Sequence, residues 1–358
     1  MTLKDLGWND RLELQFEPHR NAGLRPARVL REDRGRYRVH DGEERSAEVS
    51  GRFRHDVADR TDFPAVGDWV AVRAPEGDGP CTVAAVLPRA SVFVRRAVGE
   101  TTEAQVVAAN IDTVFVMSGL DHDFNLRRIE RYVAAAWESG AQPVVVLNKA
   151  DLAEDIEGCV AQAELAAPGV PVVALSAREG SGLDALAPWL VPGASIALLG
   201  MSGVGKSTLV NVLLGEERLA TNEVRDGDSR GRHTTTHREL VPLPGGAILI
   251  DTPGMRALGL WSGDDALEDT FPEIEALARD CRFGDCSHER EPGCAVVAAE
   301  LAGGLDPGRL ESWRKLQREL RWLAGKQDQR IRQQEVARWK AIHKSMKSHP
   351  KFKARGER

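Results

Sequence analysis

The octet Gly200-Met201-Ser202-Gly203-Val204-Gly205-Lys206-Ser207 constrains this chain more than any other feature. It fits the pattern G-x-x-x-x-G-K-S/T. It lies between an apolar run that reads as a strand, Ser195–Leu199, and a stretch that reads as a helix, Thr208–Leu214. Glycines let successive backbone N–H groups converge on one concavity without a Cβ in the way. The helix N-terminus adds partial positive charge behind them. A strand–loop–helix of this kind cradles a polyphosphate. Lys206 is placed to reach the β- and γ-phosphates, and the Ser207 hydroxyl to ligate Mg²⁺. The contacting set runs from Gly200 through Thr208.

Such a loop demands a mostly parallel sheet, and the sequence from about residue 112 supplies one. Thr113–Met117, Pro143–Leu147, Pro171–Leu175, Ser195–Leu199 and Ala247–Ile250 read as strands, with helical sequence such as Leu126–Trp137 between them. Several strands end in residues with specific chemistry. Asn148-Lys149-Ala150-Asp151 has the form N-K-x-D. A carboxylate at Asp151 accepts from N1–H and the exocyclic amine of guanine, which adenine cannot offer, so adenine would leave a desolvated carboxylate unpaired. Asn148 and Lys149 support the loop and the base. Ser176-Ala177 matches a second base-reading element, with a backbone N–H directed at guanine O6. Asp251-Thr-Pro-Gly254 has the form D-x-x-G: Asp251 holds Mg²⁺ through water and the Gly254 N–H senses the γ-phosphate. Between it and the octet lies the polar segment 226–237, where Thr235 is the threonine expected to complete the Mg²⁺ shell.

The order of these motifs is unusual. N-K-x-D and S-A precede the phosphate loop, whereas ordinary small GTPases run the other way round. A circular permutation that joins the old termini between Leu190 and Ser195 preserves every strand in space. Met255 follows Gly254 where Ras-like enzymes carry a water-orienting Gln, and a thioether cannot align water strongly. Hydrolysis should therefore be slow or use another group. His233 is either that water-positioning group or an exposed loop histidine.

Outside this core, residues 1 to about 100 contain some five short alternating runs separated by turn residues, which suits a small barrel of the oligonucleotide/oligosaccharide-binding (OB) kind. Cys281-x4-Cys286-x-His288-x5-Cys294 offers four soft or borderline ligands within 14 residues, a donor set for tetrahedral structural Zn²⁺ with no open position. Cys81 and Cys159 read as small core residues. Leu310, Trp313, Leu316, Leu320 and Leu323 recur at helical spacing in a helix expected over 309–346. The 48 residues from Glu311 onward carry 15 Lys or Arg and 5 Asp or Glu, a net of +10, which leaves −16 on the rest of a chain of net charge −6. Such a tail is either a contact for a polyanion or a solvated helix surface. No run of 18 apolar residues occurs, which excludes a membrane-spanning helix. Clustered rather than paired cysteines, with no export signal, point to a reducing cytoplasm.

Taken together, the permuted order of Asn148–Asp151, Gly200–Thr208, Arg232–Thr236 and Asp251–Gly254 resembles the ribosome small-subunit-dependent GTPase A family (RsgA/YjeQ). Cys281-Arg-Phe-Gly-Asp-Cys-Ser-His288 with Cys294, Leu87-Pro-Arg89 and Arg95-Arg96 add to the resemblance. It covers most of the chain. It implies an α/β architecture with an N-terminal OB-like β-barrel (1–103), a circularly permuted P-loop GTPase domain (104–270) and a C-terminal zinc-binding helical domain with a basic tail (271–358). It further implies GTP hydrolysis to GDP and phosphate, stimulated by the small ribosomal subunit and its rRNA late in subunit maturation, by a monomer. Where some relatives in the wider group hold K⁺ with an Asn of the phosphate loop, this chain has Gly203. Two other readings use the same residues: a GTPase switch acting on another RNA or an RNA-modifying partner, and a binding module with a vestigial nucleotide site, against which intact Lys206, Ser207 and Asp251 argue.

Overall fold

Short alternating strands build the first part of the molecule. The computed structural model describes residues 1–33, 35–57, 59–75, 77, 79–96, 104–122, 124–216, 238–251, 270–283, 286–289 and 291–318. Helix α1 (Asp10–Asn21) is capped by Asn9, whose side chain accepts from the Leu12 N–H at 3.1 Å. It buries Leu12 and Phe16 on one face. The chain then runs through β1 (Arg25–Asp33), β2 (Arg36–His40), β3 (Glu44–Val49), a short helix α2 (Gly51–Asp56), β4 (Trp69–Arg73) and β5 (Cys81–Val86). Pairing follows β1-β2-β3-β5-β4, and β4 pairs back onto β1, which closes a barrel. All these pairings are antiparallel except β3 with β5. Closure leaves no open edge. Ala27, Val29, Tyr37, Val39, Val70, Val72, Cys81 and Val83 fill the interior.

A hairpin of β6 (Val92–Arg96) and β7 (Ala104–Ala109) leads into the second unit. This comprises β8 (Thr113–Gly119), α3 (Leu126–Glu138), β9 (Gln142–Asn148), α4 (Ile156–Ala166), β10 (Val172–Ala174), β11 (Ser195–Gly200), α5 (Lys206–Leu214), β12 (Glu239–Pro242) and β13 (Ile248–Asp251). The strand order is β10-β9-β8-β11-β13-β12, parallel except for β12. β8 is buried at all seven positions, as expected of an inner parallel strand covered on both faces. Each such apolar side chain contributes about 1.5–3 kcal/mol on burial. Strands that come early in the chain lie on one side of β11 and β13 lies on the other, so the strand feeding the phosphate loop is central although it comes late in sequence. That is the permuted arrangement.

Strand pairing, the buried Arg28 and the largely covered Arg309 join the parts. β12 pairs with β1 of the barrel, with Glu239 standing opposite Arg31, so one continuous sheet spans both units. Arg28, on β1, donates to the backbone carbonyls of Leu6, Gly67 and Asn110 and to the Ser195 hydroxyl at 2.7 Å, at the start of β11. Burial pulls its pKa down to about 10, so it stays charged at neutral pH. Beyond β13 come α6 (Pro272–Ala278), α7 (Ala295–Leu301) and a helix over 307–318. Their core of Phe271, Ile274, Val296, Leu310, Trp313 and Leu316 packs on Ala134 and Ala135 of α3. Opposite residues of α3, Ile129, Val133 and Ala136, face the sheet. Arg309 locks this contact by bonding Glu130 of α3, Glu273 of α6 and the carbonyls of Ala166 and Thr270. Among the described residues no helix is long and apolar enough to cross a membrane.

Candidate functional site: a phosphate cradle beside two base-reading loops

The cradle is built by backbone conformation. β11 ends at Gly200, where a Cβ would meet the Met117 carbonyl at 2.7 Å. Gly203 and Gly205 take φ of 81° and 96°, values open to glycine. Helix α5 begins at Lys206, two residues earlier than the sequence predicts, with Gly205 as its N-cap. The Lys206 ammonium folds over the loop and donates to the carbonyls of Gly200 at 2.8 Å and Met201 at 2.6 Å. Met201, Ser202 and Gly203 are exposed and Val204 is buried, so the rim is open and its anchor is fixed. Ser207 and Thr208 follow in the first turn of α5, and Asp251 closes the neighbouring strand β13.

Asn148 brings the separate loops together. It is 3% exposed at the end of β9. Its Nδ2 donates to the Val204 carbonyl at 2.8 Å, in the phosphate loop. Its Oδ1 accepts from the Ala177 N–H at 2.9 Å, in the Ser176-Ala177 loop. A Cβ on Gly205 would overlap Nδ2, so the glycine admits this contact. One amide side chain thus ties together three segments more than 25 residues apart in sequence. Its Asn identity matters, because the role needs a donor and an acceptor on one short stem.

The base loop itself is held from both flanking strands. Lys149 has φ 65°, a left-handed conformation that costs a non-glycine residue about 1–2 kcal/mol. Its Nζ lies 2.6 Å from the Asp121 carboxylate, just beyond β8. The Ala150 N–H donates to the Leu175 carbonyl at 3.1 Å. Asp151 accepts from the Ser176 hydroxyl at 2.5 Å, beyond β10. A carboxylate fixed through one oxygen retains lone pairs for two further donors. Sequence reasoning missed Asp121. The available signal was an acid directly after the strand that neighbours the N-K-x-D strand. His233, Thr235, Gly254 and Met255 lie outside the described residues, as does the chain from residue 319 onward.

A second constellation sits on the C-terminal module. Cys281, Cys286, His288 and Cys294 present one donor atom each, all within 4.8 Å of one another, and this group could hold a metal ion. His288 Nδ1 is 3.6 Å from Cys281 Sγ and 3.4 Å from Cys294 Sγ, and the two sulfurs are 3.8 Å apart. His288 turns inward through a left-handed residue, φ 55°. Arg314 clamps its carbonyl and Trp313 packs on its ring at 5.1 Å. Cys294 caps α7, its sulfur accepting from the Val297 N–H at 3.4 Å.

Comparison with known proteins agrees with this geometry. The family model described as RsgA GTPase matches residues 86–261. A small ribosomal subunit biogenesis GTPase RsgA from Opitutus terrae is 51% identical, with 100% of each chain covered. One of the same name from Streptomyces avermitilis is 48% identical over 93% of this chain and 90% of that one. The crystal structure of YjeQ from Thermotoga maritima superposes with a TM-score of 0.62 at 27% identity, over 83% of this chain and 98% of that one. The structure of YloQ, described as a circularly permuted GTPase, shares the fold at a TM-score of 0.60 and 23% identity, over 83% of this chain and 95% of that one. On its motifs, its permuted sheet and its full-length identity to these relatives, the chain belongs to the RsgA GTPase family.

Proposed function

We propose that the protein binds GTP between the phosphate cradle and the two base loops, hydrolyses it, and uses the cycle to act on the small ribosomal subunit late in its maturation. As a member of its family the chain is a GTP hydrolase. The observation that carries the site is Asn148, whose side chain joins the base loop to the phosphate loop and to Ser176-Ala177. In this reading Asp151 selects guanine, and the Ala177 segment approaches O6. The loop from Gly200 to Thr208 wraps the phosphates, with Lys206 exchanging its loop carbonyls for phosphate oxygens. Ser207, Asp251 and Thr235 would hold Mg²⁺, which supplies charge neutralisation on the β- and γ-phosphates. Gly254 senses the γ-phosphate, and His233 orients water in place of the Gln that Met255 replaces.

Zinc fits the second constellation. Bonds of about 2.3 Å to sulfur and about 2.0–2.1 Å to nitrogen make tetrahedral edges of about 3.8 Å and about 3.5 Å. The separations among Cys281, His288 and Cys294, 3.8 Å and 3.4–3.6 Å, have that size, and Cys286 Sγ lies within 4.8 Å of the other three donors. Cys281, Cys286, His288 and Cys294 would hold one structural Zn²⁺ that ties α6 to α7. We place domain boundaries after residues 103 and 270, and assign the protein to the cytoplasm as a monomer. The barrel and the basic tail would contact rRNA phosphates, with affinity falling as salt rises.

The test measures phosphate release from GTP and ATP, with and without purified small subunits, for the parent and Asp151→Ala. The reading expects GTP-selective turnover raised by subunits, with loss of both selectivity and affinity in the variant. Turnover indifferent to subunits would redirect the reading to another RNA or an RNA-modifying partner.

A further inference from the structure

The base loop at the end of β9 is pinned from two sides. One tether, Ser176 to Asp151, comes from the strand β10 side. The other is the ion pair of Lys149 with Asp121, from the β8 side. Asp121 belongs to none of the nucleotide-binding motifs. Its placement is nonetheless constrained. The Leu120 N–H donates to the Asn148 carbonyl at 2.8 Å, which extends the β8–β9 ladder to the base loop. The Phe124 N–H donates to the Asp121 carbonyl at 3.0 Å and turns the chain away. The Asp121 carboxylate folds back over Gly119, where a Cβ would lie 2.7 Å from Oδ1, so the glycine makes room for it. Lys149 Nζ and Asp121 Oδ2 are 2.6 Å apart with side chains 23% and 13% exposed, a pair mostly shielded from water.

We infer that Asp121 is a positioning residue for guanine-nucleotide binding: by anchoring the Lys149 ammonium it lays the lysine stem across the mouth of the site as a fixed shelf for the base. This inference rests on the guanine reading of the site. A lysine stem has four rotatable carbons, and an unanchored one must be ordered when the base arrives. Holding its head in advance removes that cost from the binding step. Lys149 makes this contact from a left-handed backbone, φ 65°.

The test has a sign that separates positioning from simple field effects. Asp121 puts a negative charge near a site for a polyanion. If the carboxylate acted only through its field, Asp121→Asn would tighten GTP, GDP and ATP alike. Positioning requires the opposite: GDP and GTP binding weaker by up to about tenfold, the cost of ordering one rotamer-rich side chain during binding. The loss appears in KM while kcat at saturation stays close to the parent. Titration with a fluorescent GDP analogue and steady-state GTP turnover read these quantities. Lys149→Ala, which removes the shelf itself, loses at least as much, the double variant loses no more than Lys149→Ala, and Asp121→Glu restores part of the affinity. Tighter or unchanged GDP binding by Asp121→Asn, or losses that add in the double variant, overturn the inference. Failure of the parent to bind GDP or GTP at all overturns the guanine reading itself, and this inference with it.

Discussion

Arg309→Met is expected to unseat the C-terminal module. The guanidinium lies 2.6 Å from Glu273 and 3.1 Å from Glu130, donates to the carbonyls of Ala166 at 2.6 Å and Thr270 at 2.9 Å, and stacks 4.6 Å from the Phe271 ring centroid. Its side chain is 11% exposed and that of Glu130 is 4% exposed. Methionine keeps the apolar stem and removes the charge, so packing changes little. A buried carboxylate then loses its cation, at a cost of about 3–5 kcal/mol, and the Ala166 and Thr270 carbonyls lose a donor. Burial already raises the Glu130 carboxyl above its ordinary value, against the lowering influence of the Ser312 hydroxyl and Arg309. A raised carboxyl means that the folded state holds the proton more tightly than the unfolded chain. The associated stability is therefore full below the ordinary carboxylate range and is lost as pH rises through the raised value. Without Arg309 that value climbs further, so the variant should lose more stability than the parent between mildly acidic and mildly alkaline pH. Adding Glu130→Gln, which removes the buried charge, should recover a large part of the loss. Urea unfolding followed by tryptophan fluorescence at two pH values reads all of this. An Arg309→Met protein within about 1 kcal/mol of the parent at the higher pH, or a double variant no better than the single, would mean that the Glu130 carboxylate does not depend on Arg309.

Two further outcomes are expected. Gly205→Ala forces a side chain onto a residue at φ 96° and into the Asn148 amide. It should cost about 1–2 kcal/mol in the folded state and at least about tenfold in GTP affinity, checked by thermal denaturation and nucleotide titration. Chelation of zinc, or acidification that protonates its ligands, should raise hydrogen exchange across Ala295–Leu301 while β8 and β9 stay protected, and metal analysis should find one zinc per chain before treatment.

Much of this architecture is written locally. Thr113–Met117, Pro143–Leu147 and Ser195–Leu199 are apolar runs bounded by turn residues, and β8, β9 and β11 lie there within a residue or two at each end. The alternating runs Ala27–Leu30, Tyr37–Val39, Trp69–Val72 and Thr82–Val86 lie in β1, β2, β4 and β5 for the same reason, whereas β3 carries no such run. Glu44–Val49 reads as polar because only Ala47 and Val49 of its six residues are buried. Helix α1 escaped notice because Pro18 and its many charges obscure a face that buries just Leu12 and Phe16. The joints between units were illegible in principle. Arg28 looks like an outward residue of an alternating strand, and its partner Ser195 is 167 residues away. Glu130 and Arg309 are 179 residues apart, and nothing local marks either as half of a shielded pair. The same applies to Asp121, whose partner Lys149 belongs to a motif while Asp121 itself does not. Motifs report what a ligand demands of a loop. They are silent on how a loop is braced.

In the proposed guanine site, loops from β9, β10 and β11 converge and Asp151 reads the base. Asp151→Asn tests it by chemistry alone. Xanthine carries a carbonyl where guanine carries the exocyclic amine, so an amide at residue 151 can donate to it where a carboxylate cannot. Affinities for GTP and XTP should be measured for parent and variant under the same conditions. The parent is expected to prefer GTP, and the variant to prefer XTP by about tenfold or more. A variant that still prefers GTP, or a parent that binds the two alike, would contradict the claim that Asp151 faces the base.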